Sequence, residues 1–284
     1  MTTYAVTGAS GQLGRLIVES LLARGTAPAD VVAIARTTAK VEDLAARGVA
    51  VRHGDYTDAG SLDAALAGVD RLVLVSGSEV GQRAAQHANV IAAAERTGVA
   101  RIVYTSLLGA DTTSNPLAPE HVATEEALAA SAIPATILRN SWYLENYTGQ
   151  LATYEQTGTV LGATGGATIA AATRADYAEA AAVALLQEQE GDTYELAGTR
   201  FTLADLAEAA STVTGAEITH SDVTVEQLAA TFQEVGMDAG TAGFWAAIDG
   251  SIAKGELDTD STALEELIGR PATPLADAVA AARA

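Results

Sequence analysis

Apolar positions along the first 140 residues alternate between two periods. Short apolar runs bounded by glycine or polar residues are followed by stretches with apolar positions three or four apart. The runs YAVTG, VVAIA, VAVRHGD, DRLVLVSG, ARIVYTS and PATILRN read as six strands. Between the first two, QLGRLIVESLLARG puts Leu13, Ile17 and Leu21 on one helical face, with Leu16 and Val18 beside them. KVEDLAARG, SLDAALAG, RAAQHANVIAAAERTG and PEHVATEEALAAS read as the other intervening helices, the last with Val122, Ala123, Leu128 and Ala129 at apolar positions. This alternation predicts an α/β fold: a Rossmann-type parallel sheet with helices on both faces.

After Asn140 the rhythm breaks. WYLENYTGQLATYEQTG reads as helical, with aromatics at 142, 143 and 147. TIAAATRADYAEAAAVALLQEQ reads as a short extended piece and then a helix, DTYELAG as a strand, and EITHSDV as a short strand between the helices TLADLAEAASTVTG and TVEQLAATFQEVG. The division expected is a first domain at residues 1–150 and a smaller C-terminal α+β lobe at 151–284, with some of its elements returning to the first domain.

Composition narrows the chemistry. With 49% hydrophobic and 18% charged residues, the 284-residue chain is a folded globular one. It contains no cysteine, which excludes disulfides, thiolate metal sites and cysteine nucleophiles and fits a reducing compartment. The opening MTTYAVTG has neither a basic nor an apolar signal region, and no apolar run reaches the length of a membrane span. A cytoplasmic location without membrane insertion is therefore expected. A net charge of -20 argues against nonspecific nucleic-acid binding, which calls for a basic surface. The four histidines, His53, His87, His121 and His220, show no metal-ligand spacing, so no metal is expected.

Chemistry enters at TGASGQLG, which follows the first strand and opens the first helix. Gly8 permits the tight turn, Gly11 a close approach to a pyrophosphate, and Gly14 close packing of helix on sheet. The G-K-[ST] ending of an NTPase loop is missing. At the end of the second strand, where NAD-preferring proteins carry an acid, stands Arg36, 22 residues past Gly14. A guanidinium there suits a 2′-phosphate, and Lys40, four residues on, is expected to approach the same group. The residues point to NADPH, and the first domain is read as NADP-binding. Ligands in such sheets lie beyond the strands' carboxyl ends. That puts Asp55 and Tyr56 near the adenine, Ser76, Gly77 and Ser78 along the dinucleotide, and Tyr104, Thr105 and Ser106 toward the nicotinamide.

TGASGQLG, SEVGQRAAQHANVIAAAERTGV, YTSLLGAD, ATEEALAAS and LRNSWYLENY together resemble the NmrA-like, atypical short-chain dehydrogenase/reductase family. The resemblance is nearest to NADPH-dependent quinone oxidoreductases of type 2 and their triphenylmethane reductase relatives. It runs nearly the full chain, through ATRADYAEAA, TYELAG and LIGRPATPLADAV. It implies that Gly8, Ala9, Ser10, Gly11, Gln12 and Leu13 wrap the pyrophosphate and that Arg36 holds the 2′-phosphate. It also implies that Asn140, Ser141, Trp142, Tyr143, Leu144 and Glu145 border both nicotinamide and substrate. The implied activity is hydride transfer from NADPH to a small planar quinone, by a monomer or a homodimer.

The Tyr-x-x-x-Lys pair of common short-chain dehydrogenases is absent. Tyr104 is followed at the fourth position by Leu108, and Tyr177 by Ala181. Alcohol oxidation by that pair is disfavoured. A quinone accepts hydride into a conjugated ring, and its phenolate product has a pKa near ~10, so donors that stabilise an oxyanion suffice. Asn140 and Tyr143 are the candidate polar contacts, with Tyr104 and Tyr147 behind them, Trp142 as an apolar wall and His121 as a candidate proton donor. Either these aromatics touch the acceptor or they close the gap between lobes. The missing pair equally motivates an alternative, an NADP(H)-sensing regulatory protein with little or no turnover. Reduction of another conjugated acceptor, such as a dye, is a third reading.

Overall fold

A computed structural model describes residues 1–188 and 191–283. Gln189, the end of one expected helix, and Ala284 lie outside the described residues. The six expected strands form: β1 (Tyr4–Val6), β2 (Val31–Ala35), β3 (Ala50–His53), β4 (Arg71–Leu74), β5 (Arg101–Leu107) and β6 (Ala135–Asn140). The segment DTYELAG supplies β9 (Thr193–Leu196), which joins the same sheet. The order is β3-β2-β1-β4-β5-β6-β9, and every pairing is parallel. Chain direction across the sheet reverses between β1 and β4, which opens a crevice there.

Both faces of the sheet are covered, so its strands are apolar on both sides. In β1, Val6 faces a core shared with α1 (Gln12–Ala23) and α8 (Arg174–Leu186), through Ile17, Leu21, Tyr177 and Ala181. Its neighbour Ala5 faces the opposite core, built on α3 (Ala59–Leu66), α4 (Arg83–Thr97) and α5 (Ala118–Ala130), through Leu62, Val90 and Leu128. Thus α8 and β9, which lie after residue 150, belong to the layers of the main sheet.

A third core holds the remaining lobe, including Tyr147, Val160, Ile169, Phe201, Leu206 and Ile252. The expected helix after Asn140 is broken into α6 (Glu145–Thr148) and α7 (Leu151–Thr157). Two short strands, β7 (Thr159–Gly162) and β10 (Thr199–Phe201), pair with β11 (Thr219–Asp222) and β8 (Ile169–Ala171) respectively. The pattern of the sequence does not announce β7 or β10, because TVLG ends in glycine and TRF carries an arginine, so neither stands out as an apolar run. Helices α9 (Leu203–Thr214), α10 (Val225–Glu234) and α11 (Ala239–Ile252) lie in this lobe, and α11 bears Trp245 and Asp249. Among the described residues, no helix is long and apolar enough to cross a membrane.

Candidate cofactor and substrate cleft

A cleft of about 930 Å³ runs over the carboxyl ends of the strands. Its floor at one end is the glycine loop: Gly8, Ser10, Gly11, Gln12, Leu13 and Gly14 all line it. Gly8 has a φ of +60°, and a Cβ on Gly14 would collide with the Gly8 carbonyl. The turn therefore requires both glycines. Gly11 caps α1 with no side-chain hydrogen bond, and no acid sits in the first turn. The free N–H groups of that turn form the electropositive end an anion needs. Ala9 is buried, its N–H donating to the Ile34 carbonyl at 3.0 Å, and it does not line the cleft.

Arg36 lines the cleft at the end of β2 and pairs with Glu79 at 2.7 Å. Lys40 does not line it. A 3-10 turn (Thr38–Val41) precedes α2 (Glu42–Ala46) and leaves Lys40 exposed outside the cleft. Asp55 and Tyr56 both line the wall. Two hydrogen bonds from Thr57 to Asp55 Oδ1, at 2.9 and 2.8 Å, hold that carboxyl below its usual pKa. The Tyr56 hydroxyl lies 2.6 Å from Thr7 Oγ1 and 2.8 Å from the Val75 carbonyl, tying the ends of three strands together.

Ser76, Gly77 and Ser78 line the cleft, and Gly77 is gripped on both sides. Its N–H donates to His87 Nε2 at 2.9 Å, and its carbonyl accepts from Arg83 Nε at 2.8 Å. His87 must then carry its proton on Nδ1, which donates to Thr124 Oγ1 at 2.9 Å. Burial and the nearby Arg83 push the His87 pKa down to about 3, so the ring is neutral. Thr105 is buried and does not line the cleft. Its Oγ1 accepts the Ser76 N–H at 2.9 Å and so acts on the loop from beneath.

Tyr104 does not reach the cleft. It sits mid-strand in β5 and is fully buried, where desolvation raises its pKa. Its hydroxyl lies 2.8 Å from His121 Nδ1. His121 lines the cleft, yet it is buried in the first turn of α5 rather than on an open surface. Burial, with Arg83 and His87 nearby, lowers its pKa to about 3. In the tautomer whose Nδ1 accepts from Tyr104, the neutral His121 carries its proton on Nε2 and turns it toward the cleft.

The segment after β6 divides. Asn140, Ser141, Trp142 and Tyr143 line the cleft, while Leu144 turns into the small-lobe core. Glu145 faces α8 instead, accepting the Arg174 N–H at 2.9 Å. Asn140 is 3% exposed, and among the described residues neither Oδ1 nor Nδ2 reaches full hydrogen-bond geometry, although the amide stands close enough to the Tyr143 hydroxyl to offset part of the rise that burial causes in that phenol's pKa. The Ser141 hydroxyl is likewise buried and unpartnered. Buried amides are rarely left so, because each unmade hydrogen bond costs about 1–3 kcal/mol. Tyr143 packs edge-on against Tyr177, with the Arg174 guanidinium 4.4 Å from its ring centroid.

The geometry also gathers residues that pattern reasoning did not single out. Glu79, Arg83, Gln86 and Arg174 line the cleft, and Trp245 and Asp249 enter it from α11. The block containing Arg83 and the segment ATRADY containing Arg174 stand out in the sequence, but only the folded chain shows where they meet.

The fold and cleft define a Rossmann-type dinucleotide-binding protein whose second lobe adds Trp245 and Asp249 to the cleft wall. Residues 8–189 match the NAD(P)H-binding family, and the chain belongs to it, within the NmrA-like short-chain reductases. Quinone oxidoreductase 2 of Escherichia coli is 48% identical over 278 residues, covering 97% of this chain and 96% of that protein. A crystal structure of the E. coli NADPH-dependent quinone oxidoreductase complexed with NADPH superposes with a TM-score of 0.95 at 45% identity, covering 99% and 100% of the two chains. The Citrobacter sp. triphenylmethane reductase complexed with NADP(H) gives 0.92 at 37% identity, covering 99% and 100%.

Proposed function

We propose that this protein is an NADPH-dependent reductase that passes hydride directly to a quinone bound beside the nicotinamide. The observation that carries the reading is one continuous cleft whose lining joins the glycine loop and Arg36 to Asn140, Ser141 and the aromatic side chains Trp142, Tyr143 and Trp245. NADPH, when bound, supplies the hydride. The chain's residues hold and orient. The uncapped start of α1 with Gly8 and Ser10–Gly14 takes the pyrophosphate, and Arg36 takes the 2′-phosphate. Asp55 and Tyr56 flank the adenosine, and Ser76–Ser78 run beside the dinucleotide on a loop clamped by His87 and Arg83.

Asn140 offers a donor and an acceptor together, with the Ser141 hydroxyl beside it, toward the nicotinamide and the acceptor. Tyr143 and the neutral His121 present hydrogen-bond donors to the oxygen on which charge develops. Because His121 is uncharged, it orients the acceptor and does not deliver a proton as an imidazolium. Trp142 walls the chamber and keeps water from the reacting ring. A quinol oxygen with a pKa near ~10 takes its proton from solvent, so the missing Tyr-x-x-x-Lys pair is no obstacle. The E. coli and Citrobacter relatives support NADPH and a planar conjugated acceptor. The acidic, cysteine-free composition supports a cytoplasmic protein that leaves nucleic acid alone.

Steady-state assays with NADPH and NADH against benzoquinones and naphthoquinones test the reading. NADPH-dependent turnover of at least one quinone is expected. Tight NADPH binding with no quinone turned over would sink it.

A further inference from the structure

The far end of the cleft holds a charge that the chemistry above does not use. Asp249 lies on α11 four residues after Trp245, so the two share a helical face, and both line the cleft. Asp249 Oδ2 accepts the Ala163 N–H at 2.8 Å, which ties α11 to the end of β7. It is the one hydrogen bond of the Asp249 side chain among the described residues, and it leaves Oδ1 without a donor there.

The arginines of the cleft are already paired: Arg36 with Glu79 at 2.7 Å, Arg83 with Glu120 at 3.2 Å, and Arg174 with Glu145 at 3.5 Å. Among the described residues no arginine or lysine stands within ion-pair distance of Asp249. Asp222 adds like charge, and His220 faces Asp222, with Nε2 3.7 Å from its Oδ1. Burial first, and then Asp222, raise the Asp249 pKa against the Ala163 N–H and His220, which lower it. The Trp245 indole is 43% exposed, and Tyr147 lines the same cleft. A carboxylate oxygen beside aromatic faces favours planar molecules carrying N–H or O–H donors and repels anions.

We propose that Asp249 is the specificity-determining residue of the acceptor end: its carboxylate accepts a hydrogen bond from an amino or hydroxyl substituent on a quinoid ring and turns away ring sulfonates, while Trp245 covers the ring. The inference deepens the function proposed above and rests on its assignment of this end to the acceptor. A purely structural tie to Ala163 needs one acceptor oxygen, which asparagine supplies equally well, and that separates the two roles.

Trp142 and Trp245 are the two tryptophans of the chain, and both line the cleft, so intrinsic fluorescence reports on its occupant. With NADP+ bound in place of NADPH, no turnover intervenes. Dissociation constants are measured for 2-amino-1,4-naphthoquinone and 1,4-naphthoquinone-2-sulfonate on the full-length protein and on Asp249→Asn. The unmodified protein is expected to prefer the amino compound, and Asp249→Asn to shrink that preference about tenfold. NADPH affinity, read at the other end of the cleft, checks that the variant is folded. An equal preference in both proteins, or none in the unmodified one, overturns the proposal. A preference that depends on Asp249, in a protein that reduces no quinone, supports the subsite and counts against the proposed reaction instead.

Discussion

Arg36 Nη1 stands 2.7 Å from Glu79 Oε1, and Glu79 Oε2 accepts from Gln86 Nε2 at 2.8 Å. The two hydrogen bonds, Gln86 first and Arg36 second, lower the Glu79 pKa, so the group is a carboxylate at neutral pH. The guanidinium assigned to the 2′-phosphate thus already faces an anion. Arg36→Ala is expected to raise the KM for NADPH by roughly 10–100-fold, the range for a lost charged hydrogen bond, with little effect on the KM for NADH. Glu79→Gln removes the competing charge and is expected to tighten NADPH severalfold while leaving NADH alone. Titrations of both variants with both nucleotides check this. Equal effects on the two cofactors would mean that Arg36 reads another group.

Gly14 has no room for a side chain. A Cβ there meets the Gly8 carbonyl and carbon and the Thr7 carbonyl, all of them backbone. At Gly11 the only close neighbour among the described residues is the Gly8 carbonyl, at 3.2 Å. Gly14→Ala must therefore push α1 off the sheet, at a cost of about 1–3 kcal/mol, the usual range for overpacking. Gly11→Ala is expected to cost less than half of that. Thermal melts of the two variants give the comparison, and a Tm for Gly14→Ala at or above that of Gly11→Ala would show that the helix packs elsewhere.

Buried neutral histidines make stability depend on pH. His87 and His121 have pKa values lowered to about 3, against 6.5 in the unfolded chain. Between those values the unfolded state binds protons that the native state does not, so stability rises with pH across this window. The contribution is complete above pH 6.5 and is lost as pH falls toward 3. Each histidine contributes a slope of at most about 1.4 kcal/mol per pH unit. Urea unfolding at pH 7 and pH 5, above the range where most carboxylates titrate, should show the loss. His87→Gln, compared with the unmodified protein, should flatten it. A slope unchanged by that substitution would mean that His87 is not held neutral.

The strand–helix rhythm made the sheet legible, because each strand of the parallel layer is a short apolar run with a turn behind it. That the glycine loop and Arg36 line the cleft was legible too, since both are local features at strand ends close to the switch point. Tyr104 and Thr105 show where such reasoning fails. Strand β5 extends to Leu107, so Tyr104 lies three residues inside its end and its side chain enters the layer below α4 and α5. A ligand-facing position requires the true strand end, which sequence places only to within a residue or two. Lys40 failed for a similar reason, because it falls inside an unforeseen 3-10 turn, Thr38–Val41, and not at the start of the helix it was expected to begin. Asp249 and Trp245 were out of reach. They lie more than a hundred residues from the glycine loop, on a helix whose apolar positions give no sign of which face meets the cleft.

Asn140 allows stability and function to be separated in one residue. Its amide is buried at the end of β6 with both polar atoms short of hydrogen-bond geometry among the described residues and only the Tyr143 hydroxyl close by, so the protein without cofactor bears much of the desolvation cost. Leucine has nearly the same shape and no polar atoms. Asn140→Leu is therefore expected to leave the cofactor-free protein as stable or more stable by about 1 kcal/mol, the reverse of the usual effect of a buried substitution. The same change removes the donor and acceptor assigned to nicotinamide and quinone. It should lower kcat/KM for quinone reduction by roughly 100-fold, near the effect of removing one oxyanion donor. Thermal melts without cofactor and quinone kinetics on the same preparation make the comparison. A variant that melts lower yet keeps its kcat/KM would show that Asn140 supports the fold and holds nothing in the cleft.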